Sequence, residues 1–198
     1  MVKKLNLLFA LLLALCSRAS GDSVSDGNAL YAKGYFDEAI AAYTKAIELN
    51  PSNADAYNNR GVARTIRGDL NGAISDYTKI IALKPDDARA YYNRGLAKQN
   101  KGELEGAMAD YNKVIELDPK YAYAYNNRGN LKRAKRDFSG SEADFTKAIK
   151  LNPNYPDAYF NRALSERAQD DFDGAIADYT SSLSDLKLII KVSVSNIT

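Results

Sequence analysis

Two sets of polar residues recur through this sequence, and each could do chemistry. Arg60, Arg94, Arg128 and Arg162 are followed, sixteen residues on, by Asp76, Asp110, Asp144 and Asp178. Guanidinium and carboxylate pair through two parallel hydrogen bonds. The spacing therefore predicts a bridge between neighbouring helices; the other reading is a row of cations gripping an acidic ligand. Asn59, Asn93, Asn127 and Asn161 form the second set. A carboxamide carries donor and acceptor together, which suits a peptide bond whatever its side chain. The sequence has no histidine, and its one cysteine, Cys16, falls in the first 21 residues, read below as a leader to be set aside. That removes the usual general base, the thiol nucleophiles and nearly all transition-metal ligand sets. The carboxylates recur at turns and caps, and the glycines stand singly rather than in a phosphate-cradling loop. No catalytic residue, metal ligand or cofactor site is expected, and no small-molecule substrate.

The elements that must position these residues repeat every 34 positions. Pro51, Pro85, Pro119 and Pro153 keep that interval, as do Tyr57, Tyr91, Tyr125 and Tyr159. So do Gly61, Gly95 and Gly129, and Tyr43, Tyr77, Tyr111, Phe145 and Tyr179. Within one period, Asn53 can cap a first helix running to about Arg67, and Gly68-Asp69 breaks it. Asp69 can cap a second helix ending near Leu83, with Ala73, Ile74, Tyr77, Ile80 and Ile81 on one apolar face. Pro85 disfavours helical geometry at Lys84 and closes the unit. Asparagines two residues beyond the first-helix tyrosines point roughly 200° away from them at 3.6 residues per turn. The column thus faces away from the core.

A period of 34 with these columns is that of the tetratricopeptide repeat. The segments "AYNNRGVARTIRGDLNGAISDYTKIIALKP" and "AYYNRGLAKQNKGELEGAMADYNKVIELDP" resemble that family closely, as does "AYNNRGNLKRAKRDFSGSEADFTKAIKLNP". The resemblance implies an all-α fold, a right-handed superhelical solenoid of about five helix-turn-helix repeats. The copies are read as 22–51, 54–85, 88–119, 122–153 and 156–187. One helix pair cannot bury both its stripes, so the copies must stack. The resemblance further implies a concave groove in which asparagines hold an extended peptide or protein segment. Its expected lining is Asn28, Asn59, Asn93, Asn127 and Asn161 with Asn126 on the same side, and Arg89, Tyr92, Arg133, Phe160 and Arg167 setting preference. The asparagines could instead bridge neighbouring helices. A structural or assembly role in an envelope complex, through the convex face or edges, is the alternative function. Gly72, Gly106, Gly140 and Gly174 depart from the family pattern one turn inside each second helix, and sequence alone supplies no reason for them.

The first 21 residues read differently. Lys3 and Lys4 precede an apolar run from Leu5 to Cys16, too short to span a membrane and followed by small residues. This predicts a signal peptide cleaved after Ala19 or Gly21, hence export to a periplasm or the exterior. Cys16 offers the alternative of a lipid anchor, although Leu15 does not suit a lipoprotein box; contact with a membrane is expected only in that case. Setting aside Lys3, Lys4 and Arg18 leaves 24 basic against 25 acidic residues. No clustered positive excess remains, so nucleic acid is not an expected partner. The tail 188–198 alternates apolar and polar residues and does not resemble a capping helix.

Overall fold

The computed structural model describes residues 23–183, so the leader with Cys16 and the tail 188–198 lie outside the described residues. Among the described residues are ten helices and no strand. They are α1 (23–32), α2 (Phe36–Leu49), α3 (Ala54–Ile66), α4 (Leu70–Leu83) and α5 (Ala88–Lys101), followed by α6 (Leu104–Leu117), α7 (Ala122–Ala134), α8 (Phe138–Leu151), α9 (Pro156–Arg167) and α10 (Phe172–Ser182). No described helix is long and apolar enough to cross a membrane. The chain divides into two compact units, Met1–Ala107 and Met108–Thr198, with the division falling inside α6.

The caps follow the sequence. Asn53 accepts a hydrogen bond from Ala56 N–H and Asp69 from Gly72 N–H, each satisfying a donor that the first turn leaves unpaired. Asp137 and Asp171 cap α8 and α10 on the amides of Gly140 and Gly174. Between first and second helices, Gly34, Gly68 and Gly102 take φ near +80 to +87°. Glycine adopts that left-handed conformation at no steric cost. The later turns place Arg136 and Asp170 there, at φ of 63° and 62°.

In the first unit α2 packs on α3, α3 on α4 and α4 on α5. Ala46, Tyr57, Ala73, Tyr77, Ile80, Ala90 and Ala97 form one buried cluster. Glycine permits the closest approach: a Cβ at Gly61 would stand 2.9 Å from the Tyr77 ring. In the second unit α7 packs on α8, α8 on α9 and α9 on α10. There Gly129 meets Phe145, where a Cβ would be 2.7 Å from the ring. Burial pushes the Tyr77 phenol up to about 12.

Candidate functional site

Each recurrent arginine is tied into its own repeat and the preceding one. Arg60 donates from Nε and Nη2 to the two carboxylate oxygens of Asp76, at 3.0 and 2.7 Å. Arg128 does the same to Asp144 at 2.8 and 2.6 Å, and Arg162 to Asp178 at 2.6 and 2.8 Å. The three aspartates are buried, which explains why a bidentate partner is needed. The aspartate bonds hold the Arg128 and Arg162 guanidiniums above their ordinary range, outweighing the opposing effect of burial. A third bond, which the sequence reading did not anticipate, leaves Nη1 for the helix sixteen residues earlier. Arg60 reaches Thr44, Arg94 reaches Thr78, Arg128 reaches Asn112 and Arg162 reaches Thr146, at 2.8–3.2 Å. The guanidiniums also lie 5.4–5.9 Å from the ring centres of Tyr57, Tyr91, Tyr125 and Tyr159. A recurrent Thr or Asn at 44, 78, 112 and 146 was the available signal for this contact. These arginines are struts.

The asparagines form ladders. In the first unit Asn93 donates to Asn58 at 3.2 Å, Asn58 to Asn59 at 3.1 Å, and Asn59 to Asn28 at 2.9 Å. The Asn28 carboxamide oxygen also accepts from the Tyr43 hydroxyl at 2.8 Å. In the second unit Asn161 donates to Asn126 at 3.1 Å and Asn126 to Asn127 at 3.3 Å. The column is therefore braced sideways from helix to helix, by way of Asn58 and Asn126. Asn28 is exposed, Asn59, Asn93, Asn127 and Asn161 are half-buried, and Asn126, expected on the open side, is buried. Its place in the ladder is the physical reason. A carboxamide has two donor hydrogens and two acceptor lone pairs. The ladder uses one hydrogen each of Asn59, Asn93 and Asn161, and it fixes the planes of their amides.

The remaining expected residues divide. Arg89 is 82 % exposed and lies 4.0 Å from Asp87. With Asp55, Asn58, Lys84 and Asn93 it lines a polar hollow of about 180 Å³. A second hollow of about 220 Å³, lined by Asn28, Tyr31, Tyr43, Asn59 and Val62, is more apolar. Tyr92 is half-buried and Arg167 exposed. Arg133 lies back along α7, donating from Nη2 to Asn130 at 3.3 Å while its Nε is buried without a hydrogen-bond partner. Phe160 is 48 % exposed and leans on Tyr179, with ring centres 5.5 Å apart.

Comparison with known proteins places this geometry. Models described as tetratricopeptide repeat match residues 27–64, 62–102, 100–135, 122–155 and 145–177. No curated protein matches the chain in sequence. Among solved structures, MamA is 25 % identical with a TM-score of 0.77, covering 88 % of this chain and 96 % of that one. Pseudomonas aeruginosa pilF is 21 % identical with a TM-score of 0.75, covering 84 % and 76 %. YrrB, described as a TPR protein with an unusual peptide-binding site, is 18 % identical with a TM-score of 0.66, covering 81 % and 83 %. The fold is the all-α repeat solenoid of protein–protein interaction scaffolds, and no catalytic family is among the matching models. With its repeats matched from Gly27 to Ala177, the chain belongs to the tetratricopeptide repeat family.

Proposed function

We propose that this protein is a non-enzymatic scaffold that holds extended peptide segments, each along the asparagine ladder of one unit. The observation that carries this reading is the bracing of each ladder by amide–amide bonds. Donors and acceptors are then pre-aligned, so a peptide backbone gains hydrogen bonds without the side-chain ordering that usually weakens binding. Arg89 and Arg167, both exposed, would favour acidic residues in the ligand, and the hollow at Tyr31 and Val62 an apolar one. The description of YrrB as having a peptide-binding site adds support by likeness of fold. The basic start and short apolar run at Leu5–Cys16 favour work outside the cytoplasm, which mass determination of the mature N-terminus would test.

A second reading rests on α10 and its C-cap, where Phe172, Ile176 and the capping Leu183 are 50–64 % exposed. Such residues suit an edge contact in an assembly. Fluorescence polarisation against a library of extended peptides separates the two. Replacing Asn59 and Asn93 together by alanine should weaken the selected peptides roughly tenfold or more, at about 1 kcal/mol per lost bond. Unchanged affinity on a protein that is folded by circular dichroism would instead favour the α10 edge.

A further inference from the structure

One position breaks the charge pattern of the repeats. In α3, Arg64 Nη1 lies 2.8 Å from Asp76 Oδ2 and donates to the Gly72 carbonyl at 3.2 Å. In α7, Lys132 Nζ lies 2.8 Å from Asp144 Oδ2 and 3.3 Å from the Gly140 carbonyl. The same position holds Lys98 in α5 and Glu166 in α9. Where earlier repeats put a nitrogen cation between an aspartate and a glycine carbonyl, the last repeat puts a carboxylate.

Glu166 is only 8 % exposed, and its Oε2 is buried without a hydrogen-bond partner. Its Oε1 lies 3.5 Å from Arg162 Nε, but Arg162 already spends Nε and Nη2 on Asp178. The charged groups that act on Glu166 are Arg162 from its own helix, Asp178 from α10, Glu142 from α8 and Asp171 from the turn. Among these groups Arg162 is the one cation, against the carboxylates of Asp178, Glu142 and Asp171. Glu142 has in addition the Gln169 amide, which donates to it at 2.9 Å. Asp171 is exposed and Glu142 half-buried, so a cation reaching Glu166 would pass beside these two carboxylates.

We propose that this end of α9 binds a primary ammonium group, as a partner's lysine side chain carries. The N–H···O separations of 2.8–3.3 Å in the earlier repeats are those of a nitrogen cation rather than of a metal. No group of three or more acidic side chains among the described residues converges enough to hold a metal ion. An ammonium has three donors, and Asp178 Oδ2, the orphaned Glu166 Oε2 and, by the period, the Gly174 carbonyl supply acceptors. Burial first, then the charge of Asp178, pushes the Glu166 carboxyl up to about 7. An entering cation pulls it down, so binding tightens as pH rises through that value.

The test follows the Glu166 carboxyl carbon by NMR, identified by its loss in Glu166→Gln. With Nα-acetyl-lysine methylamide at twice its dissociation constant, the midpoint of that carbon's titration should fall by about 0.5 unit. Tetramethylammonium, which has the charge but no N–H, should leave it in place at equal ionic strength, as should calcium. In Glu166→Lys, which restores the pattern of α3, α5 and α7, the amide resonances around α9 should no longer respond to the probe. An equal shift with tetramethylammonium would reduce the effect to screening and overturn the proposal. So would a larger shift with calcium, an absence of any shift, or an undiminished response of the α9 amides in Glu166→Gln and Glu166→Lys.

Discussion

Arg162 shows how much one side chain carries at the residue scale. It meets Asp178 through two bonds, Thr146 through a third and the Tyr159 ring through its face. Replacing it with leucine leaves Asp178 buried beside Glu166 with no cation. A loss of about 3 kcal/mol in urea unfolding is expected, as for other broken buried pairs, with peptide affinity unchanged while the protein remains folded. Glu166 acts with the opposite sign. Below its ordinary value of 4.5 it is neutral whether folded or unfolded, and its contribution is fully present. Between 4.5 and about 7 the unfolded chain gives up the proton that the folded protein keeps, so this contribution falls as pH rises and then levels off. The difference in urea midpoint between wild type and Glu166→Gln should therefore change across that window and be constant above it. The Arg–Asp pairing was legible because both residues are absent together from the first copy, which has Asp26 and Ala42. The ladder bonds were not, because Asn58 and Asn126 occur in alternate copies only, and Glu166 stood out only against Arg64, Lys98 and Lys132.

Three of the four glycines inside the second helices find their reason at the scale of the element. The Asp69, Asp137 and Asp171 carboxylates fold over the helix start, and a Cβ at Gly72, Gly140 or Gly174 would come within 2.1–2.4 Å of them. The first copy, with Glu38 in that place, has Tyr35 as its N-cap and no side-chain cap bond. In those three copies cap and glycine go together, a three-dimensional contact that residue types alone do not express, whereas at Gly106, three residues after Glu103, a Cβ would meet the Lys98 side chain instead, at 3.1 Å. Glycine to alanine inside a helix ordinarily stabilises by about 0.5–1 kcal/mol. Gly140→Ala should instead be neutral or destabilising, and should recover the ordinary gain once Asp137→Ala has removed the cap. A thermal-unfolding double-mutant cycle measures that coupling. The helix starts, the breaks and the closing prolines were readable within a residue or so, because capping and proline geometry are local.

At the scale of the whole molecule the repeats are chemically alike but not equally covered. Ile74 packs against the first unit's core, whereas its counterpart in the last copy, Ile176, is 64 % exposed. Ile74→Ala should cost roughly 2 kcal/mol and Ile176→Ala less than about 0.5, read from urea midpoints. The period displayed the stacking plan, yet it could not say which copy is left uncovered, since identical columns are buried or bare according to their neighbours. The backward reach of the arginines has a consequence for how such a chain grows. Each repeat after the first carries the plug, Nη1, for a socket at Thr44, Thr78, Asn112 or Thr146 in the copy before it, and each of the first four brings the socket for the copy after. Plug and socket are separated by the same sixteen residues throughout. A gene that gains or loses one whole period therefore rejoins a working plug to a working socket, and the array can change length without inventing a new joint.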